Sequence, residues 1–371
     1  MIASRSSNYH GPSSISTSSH TTESPPLVNN NHSESDTVLV AKKLSNMNLV
    51  EREERQQALD RLELLKTVGT GSYGHVLVVR DRDTSNYHAL KIFSITHVVQ
   101  SRQTEHVKCE KEILSAIKHP FIVRLHWTHH SDQFLYMLFD YMPGGELFTY
   151  MRRRVTFDLK TSLFYICEIT LAFEYLHSLQ VIYRDLKPEN ILLDAEGHVK
   201  LVDFGFAKKI LNKTFTTCGT PDYLSPELFK NTGHNKSTDW WSLGILLFEM
   251  LAGGTPFNPN QNESEIPGRV LAGRIAWPRT IDETTKAFIK KLLTQNPDKR
   301  LGAGRNGSRE IKEQPIFASI KWDDVYARKS KPPIVPSVKH PGDTSCFDQY
   351  QEDWKSAPFA SDKELDLFVD F

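Results

Sequence analysis

The sequence predicts an α+β chain of two lobes, a small one built on an antiparallel sheet with one main helix and a larger one that is mostly helical. Three observations lead there. A chain of 371 residues is longer than one compact core usually holds. Short strand-like segments crowd the stretch from about 62 to 141, and after Pro143-Gly144-Gly145 the apolar residues recur at helical spacing instead.

Taken in order, residues 1–50 form a Ser/Thr/Asn-rich segment, with almost no large apolar group before Asp36. Ordering costs about 1–2 kcal/mol of backbone entropy per residue, and little burial offsets it, so a disordered tail is expected. From Val38 to about Leu65, Leu44, Leu49, Val50, Leu59, Leu62 and Leu65 sit among charges, which suits a helix leading into the first strand. Strands are expected at Leu64–Val68, His75–Arg80 and Tyr87–Phe93, a helix at Glu105–Ile117, and two more strands at Val123–Thr128 and Phe134–Tyr141. Helices follow at Leu163–Ser178, Asp239–Ala252 and Thr284–Leu293. The expected domain covers 62–317, with a small lobe to about 139 and a large lobe from about 143. The tail, 318–371, turns Pro-rich at Pro332 and then aromatic and acidic, and is expected to wrap the domain rather than form a core.

Composition narrows the function. Lys+Arg and Asp+Glu both number 45, so no global field points to nucleic acid or a membrane surface, and neither is an expected partner. Cys109, Cys167, Cys218 and Cys346 are scattered without a C-x-x-C pair, which argues against a zinc knuckle or a disulfide framework. The longest apolar run, Ile245 to Ala252, contains Glu249 and is too short to span a bilayer. No basic-then-apolar leader or N-terminal Gly is present, so the expected compartment is cytoplasmic or nuclear.

Gly69-Thr70-Gly71-Ser72-Tyr73-Gly74 is the first chemical feature. Glycines let the backbone approach phosphates and turn N–H groups towards them. A dinucleotide fold would place a helix next, yet Val76-Leu77-Val78-Val79 is strand-like, and Lys91 stands where a ribose-binding acid is expected. On these residues alone the loop is either a nucleotide grip or a hairpin turn. Glu110, on the expected helix, is the candidate partner for Lys91; Glu105 and Glu112 read as solvated charges.

Tyr183-Arg184-Asp185-Leu186-Lys187-Pro188-Glu189-Asn190 and the later Asp203-Phe204-Gly205 carry the strongest signal. Phosphoryl transfer asks a protein for positioning and charge neutralisation. Asp185 would orient or accept the proton of an incoming hydroxyl, while Asp203 and Asn190 would supply hard oxygens for Mg²⁺. Lys187, two residues past Asp185 on an extended loop, would point to the same side and meet the transferring phosphate. The bland reading, two loop-capping aspartates, needs seven or more coincidences in order.

With these motifs in place the sequence resembles the AGC group of serine/threonine protein kinases, and within it the cAMP-dependent kinase catalytic subunits. Arg328-Lys329-Ser330-Lys331-Pro332-Pro333-Ile334-Val335-Pro336 and Trp127-Thr128 are most similar to the X-linked protein kinase branch. The resemblance runs from about Leu62 to Phe371 and implies a bilobal kinase fold, ATP and Mg²⁺, and transfer of the γ-phosphate to protein hydroxyls. It implies that Gly69, Gly71 and Gly74 cover the phosphates, that Lys91 pairs with Glu110, and that Asp185, Lys187, Asn190 and Asp203 catalyse. Val76, Ala89, Leu192 and the linker Asp140–Met142 would line the adenine pocket, with Phe347 closing it. Thr216 would be the activating phosphorylation site, held by His106, Arg184 and Lys208. Glu146, Glu189 and Glu249 would receive arginines upstream of the target residue, and Glu146 also borders the nucleotide. Glu227 with Arg300, and Asp239 under the catalytic loop, would be scaffold. The implied partners are Arg-containing protein substrates and cAMP-binding regulatory subunits. The rival reading, a scaffold that binds nucleotide without turnover, predicts loss of Lys91, Asp185 or Asp203, and all three are present.

The sequence also departs from that family. Ser225-Pro226-Glu227 replaces Ala-Pro-Glu, Thr217 replaces a leucine beside the substrate, and Phe139 narrows the back of the adenine pocket. The aromatic docking pocket for the heat-stable inhibitor is missing near Gly254–Asn258. Pro267-Gly268 falls in a helix that carries a regulatory-subunit contact; proline inside a helix costs about 3 kcal/mol or more, so disruption is expected there.

Overall fold

A computed structural model describes residues 53–71, 74–216, 218–350 and 356–371; the expected 1–50 tail, Ser72, Tyr73 and Thr217 lie outside the described residues. Helix α1, over 53–60, leads into strand β1 (Leu62–Gly71). The strand starts two residues before the position expected from periodicity. Leu62 pairs with Asp81 and packs among Leu77, Leu90 and Leu138, so sheet burial overrides the helical spacing.

Strands β2 (Gly74–Asp81), β3 (Tyr87–Ser94), β4 (Leu125–His130) and β5 (Phe134–Asp140) complete an antiparallel sheet of order β1-β2-β3-β5-β4. The two-residue period sends Leu77 and Val79 to one face and Val76 and Val78 to the other, beside Val68 and Tyr141. Register pairs Val76 with Lys91 and Val78 with Ala89, which puts Lys91 on the same face as these small apolar groups. Helix α2 (Ile95–Gln100), not foreseen, is capped by Ser94, whose hydroxyl accepts the His97 N–H. Helix α3 (Thr104–Ala116) follows and carries Glu110.

The larger lobe begins with α4 (Leu147–Arg154) and α5 (Leu159–Ser178). Asp158 caps α5 by accepting the Thr161 N–H at 2.7 Å, so the helix starts four residues before Leu163. Strands β6 (Val181–Ile182), β7 (Ile191–Leu193), β8 (Val199–Leu201) and β9 (Lys208–Lys209) pair as β6-β9 and β7-β8 and frame the loops that carry Asp185 and Asp203. Helices α6 (Pro226–Phe229), α7 (Ser237–Ala252), α8 (Ile266–Ala272) and α9 (Glu283–Leu292) follow, with Trp240 and Trp241 of α7 fully buried.

One expectation is corrected. Pro267 stands in the first turn of α8, where its missing N–H has no helical partner to lose, so the helix is not disrupted. The C-terminal tail packs against the domain: Ile334, Phe368 and Phe371 are buried in the main core, and the Thr128 hydroxyl donates to the Phe371 carbonyl at 2.7 Å. The tail also crosses the linker between the lobes, where the Tyr141 hydroxyl donates to the Asp343 carbonyl at 2.7 Å. At Gly145, with φ of 70°, a Cβ would lie 2.6 Å from the Cys346 carbonyl oxygen, so only glycine admits the strap.

Candidate active site

Between the lobes lies a cleft of about 510 Å³. Gly69, Gly71, Gly74, Val76, Ala89, Lys91, His106, Glu110, Asp140, Met142, Glu146, Asp185, Lys187, Glu189, Asn190, Leu192, Asp203 and Phe347 all line it. Gly74 is sterically fixed: a Cβ there would lie 2.1 Å from the Ile92 carbonyl oxygen. Val68, Val123, Phe139 and Tyr141 add apolar wall, and Phe347 stacks on Tyr141 with ring centroids 6.0 Å apart.

The Lys91 ammonium donates to both Glu110 oxygens at 2.9 and 3.0 Å and stands 3.7 Å from Asp203. Burial works against its charge, but Glu110 and then Asp203 outweigh that and hold its pKa above the ordinary lysine value. In return Lys91 holds the Asp203 carboxyl below its usual range, so Asp203 is an anion throughout the physiological range.

The catalytic-loop candidates sit on a backbone that is itself pinned. Asp239 accepts the N–H of Tyr183 at 3.0 Å and of Arg184 at 2.9 Å, and His177 holds its carboxylate from behind at 2.7 Å. Asp185 is buried; its carboxylate lies 3.2 Å from Lys187 and accepts the Asn190 amide N–H at 2.7 Å. Burial raises the Asp185 pKa, against the pull of Lys187. The Asn190 amide nitrogen is used twice on Asp185, so its oxygen is the end left for a cation. Together with the Asp203 carboxylate this is a pair of hard oxygen donors, a set that fits a divalent cation bound mainly by phosphates and water.

Arg184, Lys208, Thr216 and Glu249 lie outside the cleft. Arg184 donates from its guanidinium to the Thr216 carbonyl at 3.4 Å, and Lys208 donates to the Thr214 hydroxyl at 3.2 Å. His106 belongs to the same basic group: burial, then Arg184, lowers its pKa, with Lys208 acting in the same sense. Glu249, half-buried, accepts a hydrogen bond from the Tyr223 hydroxyl. Burial pushes its pKa up to about 7, with Glu189 and Asp222 adding to the rise.

Sequence reasoning passed over Thr220 and Tyr223. The Thr220 hydroxyl approaches Asp185 to 3.5 Å across 35 positions, and Tyr223 fixes Glu249 across 26. No local spacing connects such pairs. Asp140 also differs from a simple cleft residue, since one oxygen of its carboxylate is bonded to His126 at 2.7 Å.

Residues 62–317 match the protein kinase domain family. The chain is 49% identical over 318 residues to the cAMP-dependent protein kinase catalytic subunit 3 of Drosophila melanogaster, covering 85% of this chain and 54% of that protein. It is 49% identical over 315 residues to the Homo sapiens cAMP-dependent protein kinase catalytic subunit PRKX, covering 85% of this chain and 88% of that one. The Mus musculus protein of the same name matches equally, at 49% over 315 residues. This chain therefore belongs to the protein kinase family, among the cAMP-dependent catalytic subunits, and is a serine/threonine protein kinase.

Proposed function

We propose that the chain transfers the γ-phosphate of ATP to serine or threonine hydroxyls in proteins that carry arginine upstream of the target. The observation that carries this reading is the meeting in one cleft of Lys91, Asp185 and Asp203, with Lys91 3.7 Å from Asp203 and Lys187 3.2 Å from Asp185. In this reading Gly69, Gly71 and Gly74 cover the phosphates, and Val76, Ala89, Leu192, Met142, the Asp140 backbone and Phe347 hold the adenine. Lys91, kept extended by Glu110, binds phosphate oxygens. Asp185 orients the acceptor hydroxyl and takes its proton; Lys187 neutralises charge on the moving phosphoryl group. Asp203 and Asn190 would hold Mg²⁺, which would supply the charge neutralisation that a single lysine cannot.

Glu146, Glu189 and Glu249 would receive the arginines, and a phosphate on Thr216 would join Arg184, Lys208 and His106. The unit 62–317, its lobes meeting near 139–143, would work with the 318–371 tail, while the 1–50 segment stays outside the catalytic unit. Relatives named as cAMP-dependent catalytic subunits support a cAMP-binding regulatory subunit as partner. Among the described residues no helix is long and apolar enough to cross a membrane, and we place the activity in cytoplasm or nucleus.

The test is incubation of the purified chain with labelled ATP, Mg²⁺ and an Arg-Arg-x-Ser peptide. Label on the serine that falls when the arginines become alanine supports the reading; absence of transfer, or transfer indifferent to arginine, overturns it. A pull-down with cAMP-binding regulatory subunits, with and without cAMP, tests the partner.

A further inference from the structure

Between α4 and α5 the chain reads Arg152-Arg153-Arg154-Val155-Thr156-Phe157. Val155 has φ of 63° and ψ of −50°, and the Thr156 N–H donates to the Arg154 carbonyl at 2.7 Å. That is a γ-turn of the rare, strained kind. A β-branched residue at positive φ adds to the strain. No burial compensates, since Val155 is 69% exposed. The three arginines and Thr156 are exposed as well. Beyond the turn, Phe157 is buried and its N–H donates to the Met250 carbonyl at 2.6 Å. Strain of this sort lowers the cost of opening the turn locally.

In the whole sequence, Thr156 is the only serine or threonine with arginine at both the second and the third position before it. We infer that Thr156 is a phosphoacceptor site for a second copy of this chain, presented by the strained Arg153–Thr156 turn. The inference rests on the arginine-directed transfer proposed above, in which Arg153 and Arg154 would meet the acids Glu146, Glu189 and Glu249. The acting molecule must be another copy. Met151 and Phe157 anchor the segment at both ends in the large lobe, the lobe that also carries Asp185, and Thr156 does not line its own cleft.

The bond from Thr156 Oγ to the γ-phosphorus forms as the bond from that phosphorus to the β,γ-bridging oxygen breaks. ADP leaves with that electron pair, and the hydroxyl proton passes to Asp185 of the acting copy. The product carries about −1.5 to −2 charge beside Arg152, Arg153 and Arg154, and so masks an exposed basic run.

The experiment uses the full chain as both enzyme and acceptor. Wild-type chain, ATP and Mg²⁺ are mixed with an isotope-labelled inactive acceptor, Asp185→Asn, or Lys91→Met should that variant not fold, and with an Arg-Arg-x-Ser peptide in the same tube. Phosphate is mapped by mass spectrometry. Phosphothreonine at 156 is expected on the acceptor, absent in Thr156→Val and about tenfold slower in an acceptor that also carries Arg153→Ala and Arg154→Ala. Val155→Gly relaxes the turn and is expected to slow labelling of the folded acceptor several-fold, while a peptide of residues 149–159 with the same change is labelled at an unchanged rate. Labelling of the Arg-Arg-x-Ser peptide without Thr156 of the folded chain would overturn this inference and leave the proposed function standing. Labelling of neither would overturn both. Thr156 labelling unaffected by loss of the arginines, or by Val155→Gly, would overturn recognition of the strained turn.

Discussion

The guanidinium of Arg300 grips the carboxylate of Glu227 through two bonds of 2.7 and 2.8 Å, with the side chains 0% and 2% exposed. Arg300 also donates to the carbonyls of Ser237 and Thr294, and so ties α6, α7 and the segment after α9 together. Arg300→Ala strands a buried carboxylate and is expected to lower unfolding free energy by about 3–5 kcal/mol in a denaturant titration. The double change Arg300→Met, Glu227→Leu should regain most of it; a double variant no more stable than the single would show that the charges matter less than the packing.

Asp185→Asn keeps the size of the side chain and removes its charge. Turnover on an arginine peptide is expected to fall about a hundred- to ten-thousandfold, the range for a positioned proton acceptor. Nucleotide affinity measured by calorimetry should hold. Parallel loss of both would assign Asp185 to nucleotide binding instead.

Glu249 gives the proposed recognition a pH signature. Its carboxyl, raised to about 7 chiefly by burial, is charged above that value and neutral below it. Attraction for a substrate arginine should therefore weaken as pH falls from 8 to 6. The ratio of kcat/KM for an Arg-Arg-x-Ser peptide to that for its Arg-to-Ala counterpart should drop over this interval and flatten in Glu249→Gln. A flat ratio in the wild type would remove Glu249 from arginine recognition.

Phe139 is 7% exposed and closes the back of the cleft. Phe139→Gly should admit adenine analogues with bulky substituents that the wild type rejects, at least tenfold tighter by displacement of a fluorescent nucleotide. Equal affinities would place the barrier elsewhere.

Thr216 adjoins Arg184 through its carbonyl, with Lys208 and His106 close to Arg184. Thr216→Ala should cut peptide phosphorylation at least tenfold in mass-verified protein. Unchanged turnover would reject a phosphate switch at this position.

How much of this was legible in the sequence follows from what each residue is required to do. Lys91, Asp185, Asn190 and Asp203 were readable because phosphoryl transfer admits few side chains at those spacings, and the cleft contains all four. The five strands of the small lobe were readable as short apolar runs rich in β-branched and aromatic residues. Leu62 misled because it satisfies helical spacing and sheet burial alike, and only its pairing with Asp81 decides. Pro267 misled because the cost of proline depends on its place in a helix, and the start of α8 has no strong polar cap to announce it. The roles of Thr220 and Tyr223 depend on contacts made over tens of positions, which no short window of sequence contains.

The strap that runs over the linker has a mechanical corollary. With Tyr141 tethered to Asp343 and stacked under Phe347, and Gly145 pressed against Cys346, the hinge carries a third segment of chain along with the two lobes. On the proposed function, widening the mouth far enough to exchange spent nucleotide for fresh would mean lifting that aromatic flap, which would couple the pace of the cycle to how firmly a distant stretch of polypeptide stays fastened.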